Sequence, residues 1–262
     1  MGVVAPVLII LFVFGAVIGS FLNVVIHRLP RAEGWRAQLG SLVSPGSHCP
    51  GCERPIAWYD NIPLVSYALL RGRCRRCGES IPIRYPLVEF ANASLYLLAG
   101  LVLGLGPELY PALLFISTLI AVFFIDLEHY IIPNVIVLPV AAVGLVSMIA
   151  IEPGRWLELL LAGVISAAFF LLIAFVKPGG MGMGDVKLAG MMGFYLGTSI
   201  LVALFIGFLT GALAGLALMA MGRKGRKSRV PFGPFLALGG IIALLAGSRL
   251  LDLYLGIFNQ GV

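Results

Sequence analysis

Apolar stretches near or above 18 residues recur along this chain and limit what it can fold into more than any other feature. They run over 6–26, 109–125, 131–151, 157–176, 188–222 and 230–248. A helix needs roughly 20 apolar residues to cross a bilayer core. Only helices and closed barrels satisfy their backbone in lipid, and these continuous runs lack the alternation of barrel strands. The chain therefore reads as an all-α polytopic membrane protein. Its charged fraction agrees, at 11% where soluble domains carry about 25%.

The runs predict helices over about 5–27, 87–105, 109–126, 132–151, 156–176 and 232–253. The uncharged run 188–222 would make one helix roughly 52 Å long. That exceeds a core of about 30 Å. Two helices are expected there, split near Gly197-Thr198-Ser199 or, alternatively, nearer Gly211. The total is about eight transmembrane helices. A break at Gly197 would leave a first piece of about 12 residues, too short to span. Asp185 would then start below the membrane surface, facing a water-filled cavity.

No basic residue precedes the first run, and His27-Arg28 follow it. It is expected to be a retained helix rather than a signal peptide. Three domains follow: a first transmembrane helix (1–27), a hydrophilic loop (28–86) and a transmembrane domain (87–262). Nine arginines lie between 28 and 84, Lys177 and Lys187 flank a glycine-rich stretch, and Arg223, Lys224, Arg226, Lys227 and Arg229 form a late cluster. By the positive-inside rule all three groups are cytoplasmic. Eight crossings then put both termini outside. The net charge of +6 is explained by topology, aided by anionic membrane lipid, without nucleic acid as a partner.

All four cysteines lie in the 28–86 loop, as Cys49-Pro-Gly-Cys52 and Cys74-Arg-Arg-Cys77. This spacing suits a four-thiolate zinc site. Cytosolic thiols stay reduced, which disfavours a disulfide. Four unrelated free thiols are the alternative. The loop has little core of its own, so structural zinc would supply its folding energy. His48 adjoins the first pair as a surplus neighbour.

Two carboxylates stand where membrane helices meet the cytoplasmic face. Asp126 ends a helix in Phe-Phe-Ile-Asp-Leu-Glu-His, and Asp185 begins one in Gly-Met-Gly-Asp-Val-Lys. Ionisable groups at membrane depth are costly and suggest function. An ordinary N-terminal cap would account for Asp185, but not for Asp126, which opposes its helix dipole. Glu128 reads as a solvated loop residue. Gly179, Gly180, Gly182 and Gly184 would let an extended peptide approach Asp185; a plain flexible turn is the bland reading. Two close carboxyls can share a proton, one activating water while the other polarises a carbonyl. No Gly-x-Ser-x-Gly or His-Glu-x-x-His is present, so serine and zinc hydrolase readings lack support.

The segments 19–30, 49–89, 125–134 and 182–187 resemble the bacterial type IV prepilin peptidases, in order and over nearly the whole chain. Gly-x-Gly-Asp is also similar to the presenilin-type intramembrane aspartyl proteases, which lack the cysteine loop. The resemblance implies an aspartic endopeptidase of the bacterial inner membrane. It would cut basic leaders from type IV prepilins and secretion pseudopilins after glycine, then N-methylate the new N-terminus with S-adenosylmethionine. It places the catalytic pair on Asp126 and Asp185, with Gly182 and Gly184 in the active-site loop. Methyl transfer falls to the cytoplasmic loop, with Gly72 a member. Pro133-Asn134 departs from the usual Pro-Asp, and no Gly-x-Gly-x-x-Gly cofactor fingerprint occurs. The rivals are an ion-coupled transporter with paired carboxylates, which leaves the cysteines unexplained, and a non-catalytic membrane-anchored zinc module, which leaves the aspartates unexplained.

Overall fold

A computed structural model describes residues 4–44, 46–177, 180–221 and 230–259. These are nearly all helical and form two compact units, Met1–Gly104 and Leu105–Val262. Among the described residues the only β-type pairings are two isolated bridges, His48 with Pro55 and Arg73 with Ser80. The basic cluster expected over 223–229 and Gly179 lie outside the described residues.

In the first unit, α1 (Val4–Arg28) packs along α4 (Arg84–Leu103). Gly15 and Gly19 make this possible. A Cβ on Gly15 would lie 2.8 Å from Ala93 Cα, and one on Gly19 would lie 2.7 Å from Glu89 Cα. Small residues let membrane helices approach, and polar side chains then bond across the seam. Asn92 donates to the Gly15 carbonyl at 2.7 Å, and Asn23 to the Tyr85 carbonyl at 3.0 Å. Between these helices come two short ones, α2 (Trp35–Val43) and α3 (Val65–Leu69), and the cysteine region. Packing thus groups the hydrophilic loop with the helices on both sides of it.

The second unit holds α5 (Leu109–His129), α6 (Asn134–Ile151), α7 (Trp156–Val176), α8 (Met183–Leu196), α9 (Ile200–Ala220) and α10 (Gly233–Asn259). α8 packs on α6 and α7, while α10 packs on α5 and α9. Its core includes the fully buried Phe115, Leu119, Phe170, Leu188, Met191 and Leu236. The outer surfaces stay apolar, as at Leu201, Phe205 and Phe175, which suits a lipid solvent.

Seven described segments are long and apolar enough to cross a membrane, with 183–220 counted as one. That segment is two helices joined by a 3-10 turn at Gly197–Ser199, not broken at Gly211. The turn is clamped. Glu158 on α7 accepts the Thr198 N–H at 2.9 Å and is held by Arg155, which also bonds Glu152 at 2.7 Å. Gly197 sits at φ +54, and a Cβ there would run into the Glu158 carboxylate, so only glycine fits. The remaining α8 has 14 residues, about 21 Å at 1.5 Å each.

Helix ends differ from expectation by a few residues, and by six at the end of α10, which runs to Asn259 rather than 253. α5 continues past Asp126 to His129 and closes at Tyr130, whose left-handed backbone (φ 58) lets its N–H reach the Asp126 carbonyl at 2.9 Å.

Candidate aspartyl active site and metal centre

The second unit buries two carboxyl groups. Asp126, on the last turns of α5, is 6% exposed, and Asp185, on the first turn of α8, is 8% exposed. Asp126 and Asp185, singled out together from the sequence, thus both lie in the second unit, on helices α5 and α8 that touch.

Each carboxyl meets the N-terminus of a helix, where backbone N–H groups lack intrahelical partners. Asp185 Oδ2 accepts the N–H of Gly182, the residue before its own helix, at 3.1 Å. Its Oδ1 is buried with no hydrogen-bond partner. Capping therefore describes one oxygen of Asp185 and leaves the other free. Asp126 Oδ2 accepts the N–H of Gly233, the first residue of α10, at 2.9 Å. An aspartate at a helix C-terminus is stabilised here by a different helix. Gly233 was not singled out from the sequence. The available signal was the Pro-Phe-Gly-Pro-Phe stretch at 231–235, a glycine between prolines where an apolar run begins.

The glycines before Asp185 do two jobs. Gly182 is extended (φ −80, ψ 145) and donates to Asp185. Gly184 faces Ile132, whose Cβ would lie 2.8 Å from an added Cβ. Lys187 donates to Asn134 Oδ1 at 2.8 Å, tying α8 to the start of α6, so an amide serves at this position. Glu128 is about one-third exposed and stands 3.9 Å from the His129 imidazole.

In the first unit the four cysteine sulfurs all lie within 4.8 Å of one another, with Cys49 and Cys77 3.6 Å apart. A tetrahedral zinc with Zn–S of about 2.3 Å needs sulfurs roughly 3.8 Å apart, so the cluster fits a metal. The same fold is used twice to build it. Cys49 N–H bonds Arg54 O and Glu53 N–H bonds Cys49 O; Cys74 N–H bonds Glu79 O and Gly78 N–H bonds Cys74 O. The residue after the second cysteine of each pair is left-handed, Glu53 at φ 54 and Gly78 at φ 75. Backbone N–H groups of Cys77 and Arg76 pull the Cys74 thiol down to about 6. The Glu79 N–H favours a Cys77 thiolate, but partial desolvation and the sulfurs of Cys49, Cys74 and Cys52 push that thiol up to about 12. Four sulfurs this close resist sharing negative charge unless a cation joins them. His48 is not part of the cluster; its Nδ1 lies 3.1 Å from Gly46 O.

Gly72 is left-handed (φ +67), and a Cβ there would meet the Tyr67 ring at 2.9 Å. Its N–H bonds Tyr67 O and its carbonyl accepts from Ile81. Asp60 clasps Arg75 through two nitrogens, at 2.7 and 2.9 Å, joining the second cysteine pair to the 58–60 turn.

Residues 13–103 match the bacterial peptidase A24 N-terminal domain, and residues 113–216 match the type IV leader peptidase family. The prepilin leader peptidase/N-methyltransferase of Bacillus subtilis is 37% identical, covering 94% of this chain and 97% of the relative. Those of Aeromonas hydrophila and Pseudomonas aeruginosa are 36% and 38% identical, covering 95% and 92% of this chain and 94% and 91% of the relatives. The chain belongs to the type IV leader peptidase family. No solved structure matches it. Within this leader peptidase chain, the boundary between the two family matches falls beside the boundary between the two compact units.

Proposed function

We propose that the protein is a bifunctional enzyme of the bacterial inner membrane. It cleaves the basic leaders of type IV prepilins and type II secretion pseudopilins after glycine, and it N-methylates the exposed N-terminus. The observation that carries the reading is the buried Asp126 and Asp185 pair with one oxygen, Asp185 Oδ1, left without a partner. An unsatisfied buried polar atom calls for an explanation, and a water or a shared proton supplies one.

With one carboxyl ionised and one protonated, the ionised member takes a proton from water as the oxygen attacks the scissile carbonyl. The protonated member gives its proton to the carbonyl oxygen. The resulting gem-diol collapses, the C–N bond breaks, and a proton passes to the leaving amine. The dyad returns to its starting state.

Cys49, Cys52, Cys74 and Cys77 are the proposed zinc ligands, and the ion's role is structural. S-adenosylmethionine would supply an electrophilic methyl group for attack by the new α-amine. The close approach of Tyr67 to Gly72 supports a structural part for Gly72 in the loop that would house methyl transfer. Lys/Arg placement supports eight crossings, with 183–220 making two, both termini outside and the aspartates facing the cytoplasm. A prepilin held with its basic leader inside presents its scissile bond at that boundary, beside membrane lipid. Nucleic acid has no part in this reading.

The test is a synthetic prepilin incubated with purified protein and labelled methyl donor, with both products read by mass. Cleavage absent from the wild-type protein, or undiminished in Asp185→Asn, would sink the dyad.

A further inference from the structure

We propose that Gly233 is a positioning residue for peptide cleavage: its main-chain N–H fixes the Asp126 carboxyl, and its missing side chain is what lets that carboxyl sit there. The inference rests on the dyad reading and adds a third element to it, from a part of the chain remote from both aspartates.

The local chemistry isolates this donor. α10 begins at Gly233, and Pro234 brings no N–H. The next two N–H groups, of Phe235 and Leu236, turn back to Phe232 O at 3.1 and 3.2 Å. Gly233 is thus left with an N–H that its own helix cannot use, and the bond it makes instead, 2.9 Å to Asp126 Oδ2, is buried. The bond carries the positive end of the helix dipole to the carboxylate.

Space then dictates the residue. A Cβ on Gly233 would lie 2.7 Å from Asp126 Oδ2, 3.1 Å from Cγ and 3.2 Å from Cβ. Gly233 is not left-handed, so its backbone alone would admit alanine. The demand for glycine comes from Asp126. The segment is also held firmly. The Phe232 ring packs 5.2 Å from Phe208 on α9 and 6.1 Å from Phe170 on α7. With Oδ2 committed to Gly233, the second oxygen of Asp126 is the one left for proton exchange with Asp185 and water.

The experiment compares Gly233→Ala and Pro234→Ala with wild type in lipid nanodiscs, using a synthetic prepilin. Gly233→Ala is expected to lower kcat by about 100-fold, the scale of a misplaced reactive group, with KM changed little. Pro234→Ala, which keeps Gly233 and only adds an N–H, is expected to retain kcat within about threefold of wild type, as changes that leave reacting groups in place do. A Gly233→Ala kcat near wild type, or an equal loss in Pro234→Ala, overturns the proposal. Should Gly233→Ala fail to fold, hydrogen exchange at the Gly233 amide decides between wild type and Asp126→Ala. Faster exchange in Asp126→Ala supports the bond, and unchanged exchange overturns it. A wild-type protein that cleaves nothing would refute the peptidase reading instead, leaving the exchange result to judge the contact by itself.

Discussion

Each unit buries acid in a membrane helix, and the two do it differently. Among the described residues the buried carboxylates are Glu89 in the first unit and Asp126 and Asp185 in the second. Glu89 is engaged in holding the loop. Its Oε2 accepts the Leu64 N–H at 2.8 Å, and the Ser20 side chain also bonds it. Leu64 is left-handed (φ 61), an uncommon state for a branched residue, and Glu89 holds it there as α3 begins. Asp185, by contrast, keeps a buried oxygen with no partner. Burial alone therefore does not mark a reactive acid. What separates the two regions is the buried oxygen of Asp185 that no protein group satisfies.

The largest effect should come from removing either member of the pair. Asp126→Asn and Asp185→Asn are each expected to lower cleavage by about 10²–10⁴-fold, the usual contribution of a positioned acid or base. Both variants should still insert and retain metal, read by protease accessibility and metal analysis. A Glu89→Gln variant that lost cleavage to the same degree would break the comparison.

Chelation tests the other unit, whose four cysteines are placed to hold a metal ion. A small metal-held subdomain unfolds without its ion, so chelation or Cys49→Ser should reduce methyl transfer at least about tenfold. Cleavage should change little, because the aspartates and their capping groups all belong to the second unit. Equal loss of both activities would show that the units do not divide the work. Gly72→Ser is a milder version. Forcing a side chain into a left-handed position costs of order 1–3 kcal/mol, and Tyr67 must also move. Methylation should weaken while cleavage persists, both read from product masses.

Two glutamates give the smallest effects. Glu89→Gln keeps an oxygen for Leu64 and should destabilise the loop by about 1 kcal/mol, while Glu89→Ala should cost roughly 1.5–3 kcal/mol, measured as denaturant-dependent protease sensitivity. Glu128→Gln, half-solvated beside His129, should leave cleavage within about threefold, as surface changes usually do.

The helices were legible because lipid allows few alternatives: a run such as 109–125 has no other way to satisfy its backbone. Their ends were less so. Charges at Glu128 and His129 read as loop, yet α5 carries them because Tyr130 closes the helix only afterwards. The aspartates and cysteines stood out because such residues are expensive or rare in this composition. Gly233 did not, since its partner is 107 residues away and its contribution is a main-chain N–H that every residue except proline possesses. Glu89 was equally silent: its partner is the Leu64 backbone, and nothing in the letters announces that Leu64 is left-handed.

The clamp at Gly197–Ser199 has a consequence for substrate choice. α8 is pinned by Glu158 and Arg155 at the end opposite Asp185, so its length acts as a ruler. From Asp185 to Leu196 the helix measures about 17 Å at 1.5 Å per residue. Lengthening it by one residue would lower the carboxyl by that single rise and swing it by about 100° off its mark. An enzyme gauged in this way would choose where to cut by depth as well as by letters. A substrate whose leader joins its apolar helix one turn too early would bring the wrong bond to the aspartates, however well its residues matched.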